Sequence, residues 1–148
     1  MRIPRTPRGI ITAMSERRDG EMGFTDGLVS SRVLSNRKKF LKKCGLLGFR
    51  LVRVAQVHGN TVHVVGEKVL KTEKKGDGMI TREQGIALGI LTADCVPIFF
   101  WNKEGDVVGI AHAGWRGVAK NIAGRMVKVF RREGVNPRSL SLYLGPSI

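Results

Sequence analysis

Residues 86–111 contain three apolar runs, at 86–91, 96–101 and 107–111, each nearly continuous instead of alternating with polar residues. A strand with that pattern is covered on both faces, so these three are expected to be central strands of a sheet. The rest of the chain must be arranged around them. Two further runs rich in β-branched residues, 51–57 and 61–65, flank Gly59-Asn60, a pair suited to a tight turn. They read as a hairpin with His58 at its tip. Residues 9–14 and 139–144 are additional strand candidates.

Two helices complete the pattern. In residues 29–44, Val29, Val33, Phe40, Leu41 and Cys44 recur at roughly helical spacing among Arg37, Lys38, Lys39, Lys42 and Lys43, and Gly45 is a stop signal. Its basic residues read as a solvated face. Residues 117–133 place Val118, Ile122, Met126, Val129 and Phe130 on one stripe, which Gly134 closes. Residues 17–27 and 68–78 read as polar, glycine-containing loops. The expected fold class is α+β: a mixed β-sheet core with the two long helices packed on it. With 148 residues, 42% of them hydrophobic, the chain can bury a core and is most simply one domain, 1–148.

Charge and cysteine usage limit the classes of function. The balance of 26 Lys+Arg against 12 Asp+Glu leaves a formal +14, which favours phosphates, nucleotides, nucleic acid or acidic surfaces as partners. Residues 1–58 hold half of the basic residues and four acids, Glu16, Asp19, Glu21 and Asp26. Two cysteines in unlike surroundings make neither a disulfide framework nor a CxxC site. The basic start is interrupted by Pro4 and Pro7, with no signal-peptide run and no transmembrane segment, so a cytoplasmic protein with no membrane partner is expected.

Chemistry concentrates in three segments where β-like runs give way to turns: Gln56-Val57-His58-Gly59, Thr92-Ala93-Asp94-Cys95 and His112-Ala113-Gly114-Trp115-Arg116-Gly117. Two imidazoles and a thiolate, from His58, Cys95 and His112, are good zinc ligands and leave a fourth position for water or substrate. The same atoms allow a second reading, in which Cys95 is a nucleophile activated by His112 in a metal-free hydrolase. Gly114 to Gly117 lie between a strand and a helix start, where free N–H groups and the Arg116 guanidinium suit an anion; Trp115 reads equally as core packing and Arg116 as a carboxylate's partner. Asp94, a carboxylate in an apolar strand region, needs a partner and is a candidate for orienting a ligand or contacting substrate. Asp77, between two glycines, reads first as a turn residue. His63 reads as a surface or packing residue and Cys44 as an inert core thiol. A basic nucleic-acid-binding module is a third possibility, opposed by the lack of a recognised motif and by an aromatic content of 6%.

The segments QVHGNTV, GDGMIT, LTADCVPIFFW, VVGIAHAGWRG and LGPSI occur here in that order, and through them the chain resembles the YfiH-like proteins from about residue 9 to 148. That family is labelled multicopper polyphenol oxidoreductase or laccase and is linked to purine nucleoside phosphorylase activity. The resemblance implies zinc held by His58, Cys95 and His112. It also implies phosphorolysis of adenosine, inosine, guanosine and methylthioadenosine to base and sugar 1-phosphate, with deamination of adenosine. Purine nucleosides and inorganic phosphate would be the partners; Cys95, His112 and Arg116 would be catalytic, and Asp77, Asp94 and Arg116 would bind substrate. Copper is less expected than zinc, because a multicopper oxidase needs several histidine-rich sites and this chain has three histidines. The H-x-E and P-C-x-x-C signature of zinc nucleobase deaminases is absent. The family's fold-level relation to cysteine hydrolases, and its link to peptidoglycan editing, keep the Cys95–His112 hydrolase as the alternative. Family members continue beyond the GPSI segment, so the chain is expected to lack the C-terminal part of the domain.

Overall fold

The computed structural model describes residues 6–7, 9–23, 30–66 and 74–148, and the chain divides into two compact units, Met1–Phe49 and Arg50–Ile148. In the first, a 3-10 turn at Arg17–Asp19 precedes α1 (Ser31–Lys43). Ser30 caps α1 by accepting a hydrogen bond from the Val33 N–H, and Gly45, at φ 76°, ends it. Asn36 Nδ2 and Arg37 Nε on α1 donate to the carbonyls of Glu21 and Met22, and Lys43 pairs with Asp19 at 2.6 Å, so the preceding segment is held by side chains. Cys44 is buried at the end of α1, as a packing thiol should be. Val29 and residues 24–27 of the expected loop lie outside the described residues. The strand expected at 9–14 does not form. Ala13 alone makes a bridge, and without a ladder to satisfy its N–H and C=O groups the short apolar run stays irregular.

The second unit contains β1 (Arg50–Val52), β2 (Val62–Val65), β3 (Gly78–Thr81), β4 (Ile86–Leu88), β5 (Val96–Asn102), β6 (Val108–Ala113), α2 (Trp115–Ala119), α3 (Ile122–Arg132) and β7 (Leu140–Leu144). Five strands form one sheet in the order β2-β3-β6-β5-β7; β2 and β3 are parallel and the remaining pairs antiparallel. β1 and β4 form a separate parallel pair. The apolar runs at 96–101 and 107–111 become the adjacent strands β5 and β6, almost wholly buried as their composition requires. α3 covers the sheet, with Ile122, Met126, Val129 and Phe130 packed against Ile80, Ile98, Phe100 and Ala111. Full burial of one such side chain contributes about 1.5–3 kcal/mol.

Several expectations need correction. The runs at 51–57 and 61–65 are not a hairpin: β1 pairs with β4 and β2 with β3, both in parallel, so the Gly59-Asn60 segment is a crossing loop. The run at 86–91 contributes three residues to the β1–β4 pair instead of a central strand. The missing central strand is β3, a four-residue element too short to show periodicity, emerging from a loop whose residues 67–73 are outside those described. The helix expected at 117–133 is broken after Ala119, because Asn121 adopts a left-handed conformation (φ 57°) and caps α3 through the Gly124 N–H. Val118 therefore stands 60% exposed instead of joining the apolar stripe.

Candidate metal centre

Sheet register assembles this site at one end of the second unit. β6 pairs with β3 on one side, Ala111 opposite Gly78, and with β5 on the other, Ala113 opposite Val96. One residue further along each ladder, Asp77 meets His112, whose N–H donates to the Asp77 carbonyl at 2.7 Å, and Cys95 reaches Gly114. The strands thus bring three separate motifs into one row. His58 comes from the crossing loop between β1 and β2.

His58, Cys95 and His112 converge, with one ligand atom of each lying within 4.8 Å of the others. The two imidazoles meet edge to face, their centroids 4.8 Å apart. His58 is the most accessible of the three and His112 is buried. Gly114 leaves the space between them: a Cβ there would lie 2.9 Å from both Cys95 Sγ and His58 Cδ2. Two imidazole nitrogens and a thiolate sulfur suit zinc, whose donors sit about 2.0–2.3 Å from the ion in such sites. The residues present therefore fit one metal ion with a position left open. The remaining histidine, His63 on β2, bonds the Lys75 carbonyl through Nε2 at 2.9 Å and stands outside the cluster.

Asp77 organises this arrangement. Its side chain is fully buried, and Oδ1 accepts from His112 Nδ1 at 2.9 Å, which leaves Nε2 of that ring with its lone pair. The carboxylate also accepts from the consecutive N–H groups of Val57, His58 and Gly59, at 3.3, 2.9 and 2.7 Å. Burial pushes the Asp77 pKa up, but the bonds from His112 and these three amides outweigh it and hold the carboxyl below its ordinary value. His58 sits at φ 56°, a left-handed conformation uncommon outside glycine, and the amide grip on Asp77 keeps it there. Two more contacts fasten the same loop. Gln56 exchanges hydrogen bonds of 2.7 Å with the carbonyl and N–H of Leu91, joining the His58 and Cys95 segments, and Asn60 Nδ2 donates to the Lys120 carbonyl. Sequence reasoning gave Gln56 no role, and only its place beside the QVHG histidine pointed to one.

The other predicted residues are placed differently. Asp94, in the bend before β5, is solvent-exposed, so its carboxylate does not need the protein partner that a buried one would. Trp115 is 73% exposed and not core packing; the Arg116 guanidinium stacks over its ring, 4.8 Å from the centroid. The helix start behind Gly114 is that of the five-residue α2, so no long helix dipole backs an anion there.

The chain matches, over residues 12–148, the family model described as multi-copper polyphenol oxidoreductase laccase. It is 37% identical over 136 residues to purine nucleoside phosphorylase YlmD of Geobacillus stearothermophilus, a match covering 86% of this chain and 50% of that protein. The crystal structure of that YlmD superposes with a TM-score of 0.79 at 36% identity, over 86% of this chain and 50% of the other. Purine nucleoside phosphorylase YfiH of Escherichia coli is 32% identical, covering 96% of this chain and 60% of its own length. Adenosine deaminase RL5, from an unknown prokaryotic organism, is 34% identical over 79% of this chain and 48% of its own. The chain spans about half the length of such curated relatives.

Proposed function

Since the chain belongs to the family described as multi-copper polyphenol oxidoreductase laccases, which includes YlmD and YfiH, we propose that it acts as a zinc-dependent purine nucleoside phosphorylase that also deaminates adenosine. The observation that carries this reading is the His58–Cys95–His112 cluster, with the buried Asp77 carboxylate on the His112 ring. Its substrates are inorganic phosphate and adenosine, inosine, guanosine or methylthioadenosine. The names of the relatives support an enzyme of purine nucleosides, and one of them supports the deamination. A single ion follows from the histidine count: with His63 engaged elsewhere, the chain cannot supply the several copper sites of a multicopper oxidase. No helix among the described residues is long and apolar enough to cross a membrane; a cytoplasmic location is proposed on the cysteine usage, two thiols with no disulfide framework.

When bound, zinc would supply a Lewis acid able to polarise a substrate oxygen or lower the pKa of a bound water. The chain's own groups do the rest. Asp77 fixes the tautomer and orientation of His112, and this reading makes it a positioning residue, since its oxygens are committed to His112 and three amides. Cys95 supplies the anionic ligand. Arg116, exposed on α2, offers a planar set of donors to phosphate or the ribose hydroxyls, and Asp94 offers an acceptor to the sugar or base.

The test is zinc quantification paired with a phosphate-dependent assay of adenine release from adenosine. Wild type should hold about one zinc per chain and Cys95→Ala should lose it together with turnover. Unchanged zinc and unchanged activity in Cys95→Ala would overturn the assignment. One observation favours a second reading: Asp77, His112 and Cys95 also have the order of orienter, base and nucleophile in a thiol hydrolase, including one that edits peptidoglycan. A metal-free protein whose Cys95 is rapidly alkylated by iodoacetamide would select that reading.

A further inference from the structure

The break between α2 and α3 creates a feature that the metal centre does not use. An open cleft of about 370 Å³ lies beside it, lined by Asn60, Thr61, Lys120, Asn121, Arg125 and Lys128. Its volume falls within the range of small-molecule sites. Every ionisable group in the lining is a cation, and no carboxylate among the described residues pairs with Lys120, Arg125 or Lys128. Arg125 and Lys128 are one turn apart on α3, where uncompensated like charges destabilise a helix. Asn121 stands one turn before Arg125 on the same face, so the three point to one side.

Of the remaining lining groups, Asn121 and Thr61 offer donors. Asn60 spends its Nδ2 on the Lys120 carbonyl, fixing the wall of the cleft, and Asn121 spends its Oδ1 on the Gly124 N–H, which leaves its Nδ2 to donate. Thr61 adds a hydroxyl. A concave surface of ammonium, guanidinium, amide and hydroxyl donors is complementary to a tetrahedral oxyanion, with Arg125 able to bond it bidentately.

We propose that this cleft is a binding site for a phosphoryl group, separate from the His58–Cys95–His112 centre and independent of the nucleoside reading. That group is supplied either by free phosphate or by a phosphate monoester of sugar or nucleoside size. Asn60 and Thr61 follow His58 by two and three residues, so the cleft adjoins the metal-bearing loop without sharing its ligands.

Isothermal titration at constant ionic strength tests the proposal, with inorganic phosphate, ribose 5-phosphate and adenosine 5′-monophosphate as probes. The double variant Arg125→Gln/Lys128→Gln should bind the preferred probe at least tenfold more weakly. Lys38→Gln/Lys39→Gln on α1, which removes the same charge elsewhere, should change binding less than twofold. Cys95→Ala, which removes zinc-dependent phosphate binding at the metal centre, should keep the saturable site that Arg125→Gln/Lys128→Gln weakens. Tighter binding of inorganic phosphate identifies the free ion as ligand, and tighter binding of the monoesters identifies an ester. Absence of saturable binding to wild type, equal losses in the two double variants, or loss of all saturable binding in Cys95→Ala would each overturn the site. So would a single-stranded oligonucleotide that binds in preference to all three probes.

Discussion

At the scale of single residues, the site depends on one carboxylate and one missing side chain. Asp77→Asn keeps the shape but replaces an all-acceptor group by one that is half donor, so either His112 Nδ1 or an amide of the 57–59 loop loses its partner. Loss of such an outer partner costs 10–100-fold in metal affinity as an order of magnitude, and an orphaned buried donor costs about 1–3 kcal/mol. Chelator competition and urea unfolding of Asp77→Asn should show both effects. Gly114→Ala separates affinity from stability. Its Cβ would come 2.9 Å from two of the three ligands, so zinc binding should fall while far-UV circular dichroism stays that of wild type. The sequence made the ligands visible because imidazoles and thiols at turns are chemically conspicuous. It did not reveal the grip of Asp77, whose four partners come from residues 57–59 and 112 and meet it only once β3 and β6 are paired. An aspartate between glycines looks like a turn until then.

At the scale of elements, strongly apolar segments announced themselves and connections did not. β5, β6 and the Met126–Phe130 part of α3 were legible because their burial is written into continuous or helically spaced apolar residues. The hairpin expected around Gly59-Asn60 failed because local turn chemistry cannot specify that both flanking strands find distant parallel partners. The unbroken helix 117–133 failed for the converse reason: one residue, Asn121, overrides a good helical pattern. Its left-handed backbone makes a clear prediction. Asn121→Gly loses the cap but suits φ 57°, and should cost a few tenths of a kcal/mol, whereas Asn121→Ala loses the cap and strains the backbone, for about 2 kcal/mol. Equal urea midpoints for the two variants would show that the break does not depend on this conformation.

At the scale of the whole molecule, charge sets the conditions under which everything above can be measured. A formal +14 makes the compact state self-repulsive at low ionic strength, because folding brings cations nearer to one another than they are in the expanded chain. Sodium chloride screens this repulsion over a Debye length of about 10 Å at 0.1 M, so the melting temperature at pH 7 should rise between 20 and 200 mM salt, and a flat profile would remove self-repulsion from the account. Phosphate adds a second term only if it binds the native state specifically. At matched ionic strength, the stabilisation beyond that of chloride then follows RT ln(1 + [L]/Kd), about 2.7 kcal/mol at a hundred times Kd. That excess should be undiminished in Lys38→Gln/Lys39→Gln but smaller by about 1.3 kcal/mol or more in Arg125→Gln/Lys128→Gln, the change a tenfold weaker Kd produces. Screening depends on the total charge removed, which is the same in both variants, whereas linkage depends on where it is removed. Thermal shifts in the two salts therefore separate a generally basic protein from one that keeps three of its cations in a cleft free of carboxylates.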